Sequence, residues 1–178
     1  MIHQALNNSK REAVLDLFTS VFTSAEGEEE GRLIGSLSYG LASRIDNTEI
    51  LCFGSYENES LIACIFFTRL RFNVPVQVYM LAPVAVSTES QGRGVGQSLI
   101  AYGLNELKRR CANVAVTYGD PAFYARSGFV PLSEDVIRAP LALSMPAGWL
   151  GQSLTDEPIA AIHERPVCVK EFDYPVYW

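Results

Sequence analysis

The stretch from Val84 to Gln97, VAVSTESQGRGVGQ, constrains this chain more than any other. A short apolar run, Leu81 to Val86, ends in the polar Ser87-Thr88-Glu89-Ser90. Gln91-Gly92-Arg93-Gly94-Val95-Gly96 comes next, and then an amphipathic stretch from Gln97 to Arg110. The order reads as strand, glycine-rich turn, helix. Glycines at alternate positions remove Cβ atoms where the backbone turns, so bare N–H groups can approach a ligand closely. The first N–H groups of the following helix lack intrahelical partners and lie at the positive end of its dipole. Such a turn suits a phosphate or pyrophosphate; the plainer reading is a flexible loop ahead of a helix. Spacing excludes two familiar phosphate motifs. A G-x-G-x-x-G begun at Gly92 needs glycine where Gln97 stands, and one begun at Gly94 needs it at Leu99. A P-loop needs Gly-Lys-Ser/Thr, whereas Gly96 is followed by Gln97-Ser98.

The length of 178 residues fits one domain with a sizeable core, and 48% hydrophobic with 19% charged residues is globular composition. Residues 1–178 are therefore expected to form a single domain, with a C-terminal extension from about residue 131. A net charge of −6 and no face rich in Lys and Arg argue against nucleic acid as a partner. An acidic surface is compatible with a cationic substrate. Cys52, Cys64, Cys111 and Cys168 form no C-x-x-C pair, and His3 and His163 lie far from them in sequence, so no metal site is expected. Cys52 and Cys64 fall in apolar strands and read as small buried hydrophobes. Met1 to Lys10 lacks the basic start and apolar stretch of a signal peptide, and no apolar run has membrane-spanning length. The expectation is a cytoplasmic protein with no membrane partner.

Along the chain, Ser9-Lys10-Arg11-Glu12 has the form of a capping box. Ala13, Val14, Leu17, Phe18, Val21 and Phe22 then recur at helical spacing. The acidic segment Ala25 to Gly31 separates this helix from a second, about Glu29 to Ser43, with Leu33, Ile34, Leu37 and Leu41 on one face. Strands are expected over Glu49–Tyr56 and Ser60–Phe72, joined by a turn at Glu57-Asn58-Glu59, and over Val74–Val86. Pro75 and Pro83 interrupt the last of these; proline has no N–H to donate, so pairing should break on one side near Val84. The helix after the glycine turn shows Leu99, Ile100, Gly103, Leu104 and Leu107 on one face, and Asn113–Tyr118 is another strand. Asp120 and Pro121 then read as N-cap and first residue of a short helix that Gly128 ends. Further strands are expected over Val136–Leu143 and Val167–Phe172, with a short helix within Pro146–Thr155. The aromatic tail, Phe172 to Trp178, can pack against the core or a partner, and leaves room for a homodimer.

Gln91-Gly92-Arg93-Gly94-Val95-Gly96 resembles the Q/R-x-x-G-x-G/A signature of the GNAT acyltransferases. Phe123-Tyr124-Ala125-Arg126-Ser127-Gly128-Phe129 is similar to a second element of that family, at the expected separation. The wider stretch VAVTYGDPAFYARSGF, Val114 to Phe129, resembles the bacterial YhbS-like subgroup. Both elements follow apolar strands in the family's order, and the resemblance covers roughly Asn8 to Val130. It implies an α/β fold with a mixed, mostly antiparallel sheet of six or seven strands flanked by helices. It also implies acetyl-CoA as cosubstrate and transfer of its acetyl group to an amine acceptor by direct attack in a ternary complex.

Acetyl transfer from a thioester to an amine requires a held cofactor, stabilisation of the developing oxyanion, loss of a proton from the amine and gain of one by the leaving thiolate. The resemblance assigns the pyrophosphate to backbone N–H groups of Gln91, Gly92, Arg93, Gly94, Val95, Gly96 and Gln97. The Arg93 side chain either reaches phosphate or stays in solvent. The pantetheine arm falls to main-chain groups of Val84, Ala85 and Val86, which equally suit plain strand core. Tyr124 stands where the family often carries the general acid, and a phenol, with an ordinary pKa of about 10, is protonated at neutral pH. Its alternative role is a packed aromatic. Gln77 and Tyr79 occupy the strand where related enzymes often carry a glutamate, so no general base is visible. Glu26, Glu28, Glu29 and Glu30 either attract a cationic amine or form a solvated acidic segment. The absent base keeps a second function open, a noncatalytic acyl-CoA-binding or sensing protein. A donor longer than acetyl is a third reading.

Overall fold

The structure, a computed structural model, describes every residue from Met1 to Trp178. Seven strands form one mixed, mostly antiparallel sheet in the order β1 (Ile2–Ala5), β2 (Ile50–Glu57), β3 (Ser60–Leu70), β4 (Val78–Val86), β5 (Val114–Tyr118), β7 (Trp149–Ser153), β6 (Val130–Pro131). The helices are α1 (Arg11–Glu26), α2 (Glu28–Ser43), α3 (Val95–Arg109) and α4 (Pro121–Ala125). No helix is long and apolar enough to cross a membrane. The chain divides into two compact units, Met1–Phe67 with Pro83–Gly103, and Thr68–Ala82 with Leu104–Trp178.

In the first unit β1 pairs antiparallel with β2, from Ile2↔Tyr56 to Ala5↔Phe53. This strand has no sequence signal: its four residues, IHQA, are exposed or half-buried and do not alternate, so backbone pairing alone defines it. Helix α1 buries Val14, Leu17, Phe18 and Val21, and α2 buries Ile34, Leu37 and Leu41, as their spacing requires. Complete burial of a side chain such as Phe18 contributes roughly 1.5–3 kcal/mol. Gly31 and Gly35 let α2 lie close on α1, because a Cβ at either would collide with Thr23 or Thr19. The capping box at Ser9 does not form. Asn7 instead accepts the Ser9 N–H and caps a short 3-10 turn, Asn8–Lys10, and α1 starts at Arg11 without a side-chain cap. The acidic segment is helical on both sides of Gly27, whose φ of 101° makes the single break. Glu28, Glu29 and Glu30 thus occupy the first turn of α2, where the dipole favours carboxylates.

In the second unit Val78–Leu81 of β4 run parallel to Val114–Thr117 of β5. The register ends at Leu81↔Thr117, two residues before Pro83, as the missing N–H of proline leads one to expect. β5 pairs antiparallel with β7, from Val114↔Ser153 to Tyr118↔Trp149. The C-terminal third departs from the sequence reading. Val136–Leu143 and Val167–Phe172 are not strands; only single bridges form, Ile137↔Ile162 and Arg71↔Val167. Pro140 cuts the first run, and the second follows Pro166 and ends in the 3-10 turn Lys170–Phe172. The helix expected within Pro146–Thr155 is one 3-10 turn, Pro146–Gly148, and Trp149–Ser153 is strand. Trp149 explains the difference. It is buried, and its indole N–H donates to the Ile137 carbonyl at 2.9 Å. The aromatic tail packs on its own unit: Trp178 is buried, donates its indole N–H to the Phe172 carbonyl (2.8 Å) and stacks on Tyr118 at 6.2 Å.

Candidate active site

The glycine turn is built at the end of β4, in the first unit. Val84 and Val86 are half-exposed and flank Ala85, which is buried. The Ser87 N–H donates to the Ile62 carbonyl (2.8 Å), Thr88–Ser90 make a 3-10 turn, and the Gln91 side-chain amide reaches back to the Val86 carbonyl at 3.0 Å. Gly92 and Gly94 come next, with φ of 73° and 76°, and nothing lies within 4 Å of where a Cβ would stand. Glycine is needed there for backbone conformation and not for space; the left-handed region costs an ordinary L-residue about 1–2 kcal/mol. Helix α3 begins at Val95. Ser98 is the first residue to donate, to the Gly94 carbonyl (3.0 Å), which leaves the N–H groups of Val95, Gly96 and Gln97 without a backbone acceptor. A row of unpaired donors at the start of a fifteen-residue helix has the chemistry to cradle an anion.

Arg93 does not stand free beside that cradle. Its guanidinium makes two bonds to the Glu57 carboxylate, 2.8 and 3.2 Å. Those bonds, and then the charge itself, hold Glu57 below the usual carboxylate range. The pair is exposed and contributes little to the fold. Sequence reasoning missed His3. From β1 its Nδ1 lies 2.8 Å from Ser55 Oγ and its Nε2 2.7 Å from Ser98 Oγ, and its ring meets Tyr102 at 5.6 Å. Burial, and secondarily the terminal ammonium, depress its pKa. The histidine thereby ties the edge strand to the first turns of α3, a link invisible without knowing that β1 exists.

Tyr124 lies in the second unit, and its helix is capped as expected. Asp120 accepts the Ala122 N–H at 2.9 Å with Pro121 in the first turn, and the Tyr124 N–H donates to the Asp120 carbonyl (3.2 Å). The Tyr124 ring meets Phe123 edge-on at 4.9 Å and Phe129 at 5.8 Å. Phe129 is buried, and Gly128, with φ of 87°, turns the chain into it. Burial raises the pKa of the Tyr124 phenol above its ordinary value; the Thr117 hydroxyl opposes this and the Asp120 charge adds to it. Tyr79 is buried, and the Gln77 N–H is bonded to the Asn113 side chain (2.8 Å), so no carboxylate stands at either position. Glu26, Glu28 and Glu29 are exposed and Glu30 is half-buried, all in the first unit.

Residues 3–132 match the acetyltransferase (GNAT) domain, and the chain belongs to that family. Among curated proteins it is 34% identical over 110 residues to the uncharacterized N-acetyltransferase YjhQ of Escherichia coli, an alignment that covers 58% of this chain and 60% of that one. The chain thus spans about three-fifths of the length of the curated relatives it matches. Among solved structures it is similar to the E. coli GNAT-family N-acetyltransferase YhbS in complex with CoA. The TM-score is 0.74 at 22% identity, over 87% of this chain and 82% of that one. It is also similar to a Brucella melitensis GNAT-family acetyltransferase in complex with acetyl-CoA, with a TM-score of 0.64 at 21% identity, over 91% of this chain and 95% of that one.

Proposed function

We propose that this chain moves an acetyl group from acetyl-CoA to an amine by direct attack in a ternary complex. The observation that carries this reading is the cradle: left-handed Gly92 and Gly94 lead into α3, whose N–H groups at Val95, Gly96 and Gln97 lack acceptors. Membership of the GNAT family supports it, as do related structures bound to CoA and acetyl-CoA. In this reading the backbone from Gln91 to Gln97 holds the pyrophosphate. Main-chain groups of Val84, Ala85 and Val86 pair with the pantetheine arm, and one N–H there faces the thioester oxygen as it gains charge. The free amine attacks the carbonyl carbon, forming the C–N bond. The carbon–sulfur bond then breaks, and Tyr124 gives its hydroxyl proton to the departing thiolate. The surplus proton of the amine passes to water, and the phenolate recovers its own from solvent.

Thermal unfolding with acetyl-CoA, and with NAD and ATP as controls, tests the cradle. A ligand at a hundred times its dissociation constant stabilises a fold by about 2.7 kcal/mol. A rise confined to acetyl-CoA supports the reading, and no rise at saturation sinks it. Thiol release across a panel of amines, with acetyl-, propionyl- and succinyl-CoA as donors, then separates transfer from the second reading. Acyl-CoA binding with no release from any amine is the behaviour of a sensing protein. Tyr124→Phe should lower acetyl transfer roughly a hundredfold or more and leave acetyl-CoA binding intact.

A further inference from the structure

His3 joins the edge strand β1 to the start of α3. It is half-buried, with Nδ1 2.8 Å from the Oγ of Ser55 and Nε2 2.7 Å from the Oγ of Ser98. Ser55 stands opposite it in the β1–β2 register and is fully buried. Ser98 directly follows the open donors of Val95, Gly96 and Gln97, and its own N–H closes the first turn on the Gly94 carbonyl. Tyr102, one turn further along α3, brings its ring to 5.6 Å from the imidazole. The charged groups around the histidine are the Met1 ammonium on its own strand and, beyond Ser55 on β2, the Glu57 carboxylate with its partner Arg93. All of these residues belong to the first unit.

A neutral imidazole donates from one nitrogen and accepts at the other, and the imidazolium donates from both. A serine hydroxyl can take either role. Two serines on the two nitrogens therefore hold the ring in one place in both charge states. The surroundings decide between those states. The Met1 ammonium and the positive end of α3 both disfavour a cation there. A pyrophosphate on the open N–H groups would reverse that field at the turn where Ser98 stands. We propose that His3 belongs to the cofactor site: held against the first turn of α3 by Ser98, it takes up a proton as the pyrophosphate of acyl-CoA binds there. The inference rests on acyl-CoA occupying the glycine turn. Binding is then proton-linked. By reciprocity, the protonated ring tightens the hold on the cofactor by the same factor by which the cofactor favours the proton.

The test uses the untagged full chain with His163→Gln, an exposed position, which leaves His3 as its single histidine. The probe is dephospho-CoA, because the phosphomonoester of CoA itself titrates near about pH 6 and the pyrophosphate does not. With carbon-13 at histidine Cε1, the His3 titration should move up by about half a pH unit at saturating dephospho-CoA, as expected of screened charges that are not in contact. By calorimetric titration the dissociation constant should fall about two- to threefold between about pH 7 and about pH 5, which is the same shift read from the ligand. The Met1 ammonium stays largely charged below about pH 7. His3→Gln in the same background should make the dissociation constant level over that range. Bound dephospho-CoA with an unmoved His3 titration overturns the proposal, and so does an equal pH dependence in His3→Gln. If the glutamine variant does not fold, the carbon-13 titration alone decides. Absence of any binding heat or shift would instead sink the cofactor reading, and the coupling with it.

Discussion

The ring of Tyr124 occupies the space that a side chain on Gly119 would need: a Cβ there would come 2.9 Å from Tyr124 Cε2. The ring cannot yield cheaply, since Phe123 and Phe129 both pack against it with their rings near perpendicular to its own. Gly119→Ala should therefore displace the phenol. A misplacement of about an ångström at a reacting group can lower a rate about a hundredfold. The expected outcome is a fall in kcat of about ten- to a hundredfold with acetyl-CoA affinity retained, measured by thiol release and by calorimetric titration. Loss of affinity with kcat intact would mean that Gly119 serves the fold and not the placement of Tyr124.

Gly94 makes the opposite case, because space around it is open and only its φ of 76° is demanding. Gly94→Ala should destabilise the chain by about 1–2 kcal/mol and weaken acetyl-CoA binding. Gly94→Asn should do less harm, since asparagine enters the left-handed region more readily than alanine. Melting curves of the two variants with and without acetyl-CoA check both expectations. Equal damage from alanine and asparagine would show that bulk, and not backbone conformation, governs the position.

Local chemistry was the legible part of this chain. Asp120 and Pro121 start α4, Pro83 lies just past the end of the β4–β5 register, and most of the apolar spacing of α1 and α2 is buried, with Phe22 and Leu33 half-buried and Ala13 exposed. What escaped depends on long-range partners. β1 exists because β2 offers it a backbone edge, and Trp149 sits in a strand because the core of its unit takes the indole. The capping box failed because Asn7 captured the Ser9 N–H first. At the candidate site, the glycine turn and the short capped helix that carries Tyr124 were readable as local structure, but the place of His3 was not. A histidine near a terminus acquires meaning only from what folds against it. Arg93 was read as either a phosphate ligand or an exposed cation; Glu57, thirty-six residues away, takes its guanidinium.

His3 gives the first unit a pH dependence. Its pKa in the folded chain lies below the ordinary 6.5, through burial and then the terminal ammonium. The unfolded chain therefore binds a proton more readily as pH falls. The contribution of His3 to stability is complete above about pH 6.5 and declines as pH drops below that value. Melting temperature should fall between about pH 7.5 and about pH 5, and His3→Gln should flatten that part of the profile while lowering its upper end. An identical slope in the variant would assign the dependence to other groups.

Tyr124 should set an alkaline limit to turnover that lies unusually high. Burial first, with the Asp120 charge adding and the Thr117 hydroxyl opposing, holds the phenol protonated beyond its ordinary pKa of about 10. An acid is effective only while it keeps its proton, so a folded-state pKa raised in this way extends the active form upward in pH. The value of kcat at saturating acetyl-CoA should hold level through about pH 9 and bend downward only above about pH 10. In Tyr124→Phe the residual rate should lose that bend altogether. A bend at the same pH in both enzymes would assign it to the amine or to unfolding, and would remove the phenol from the proton transfer.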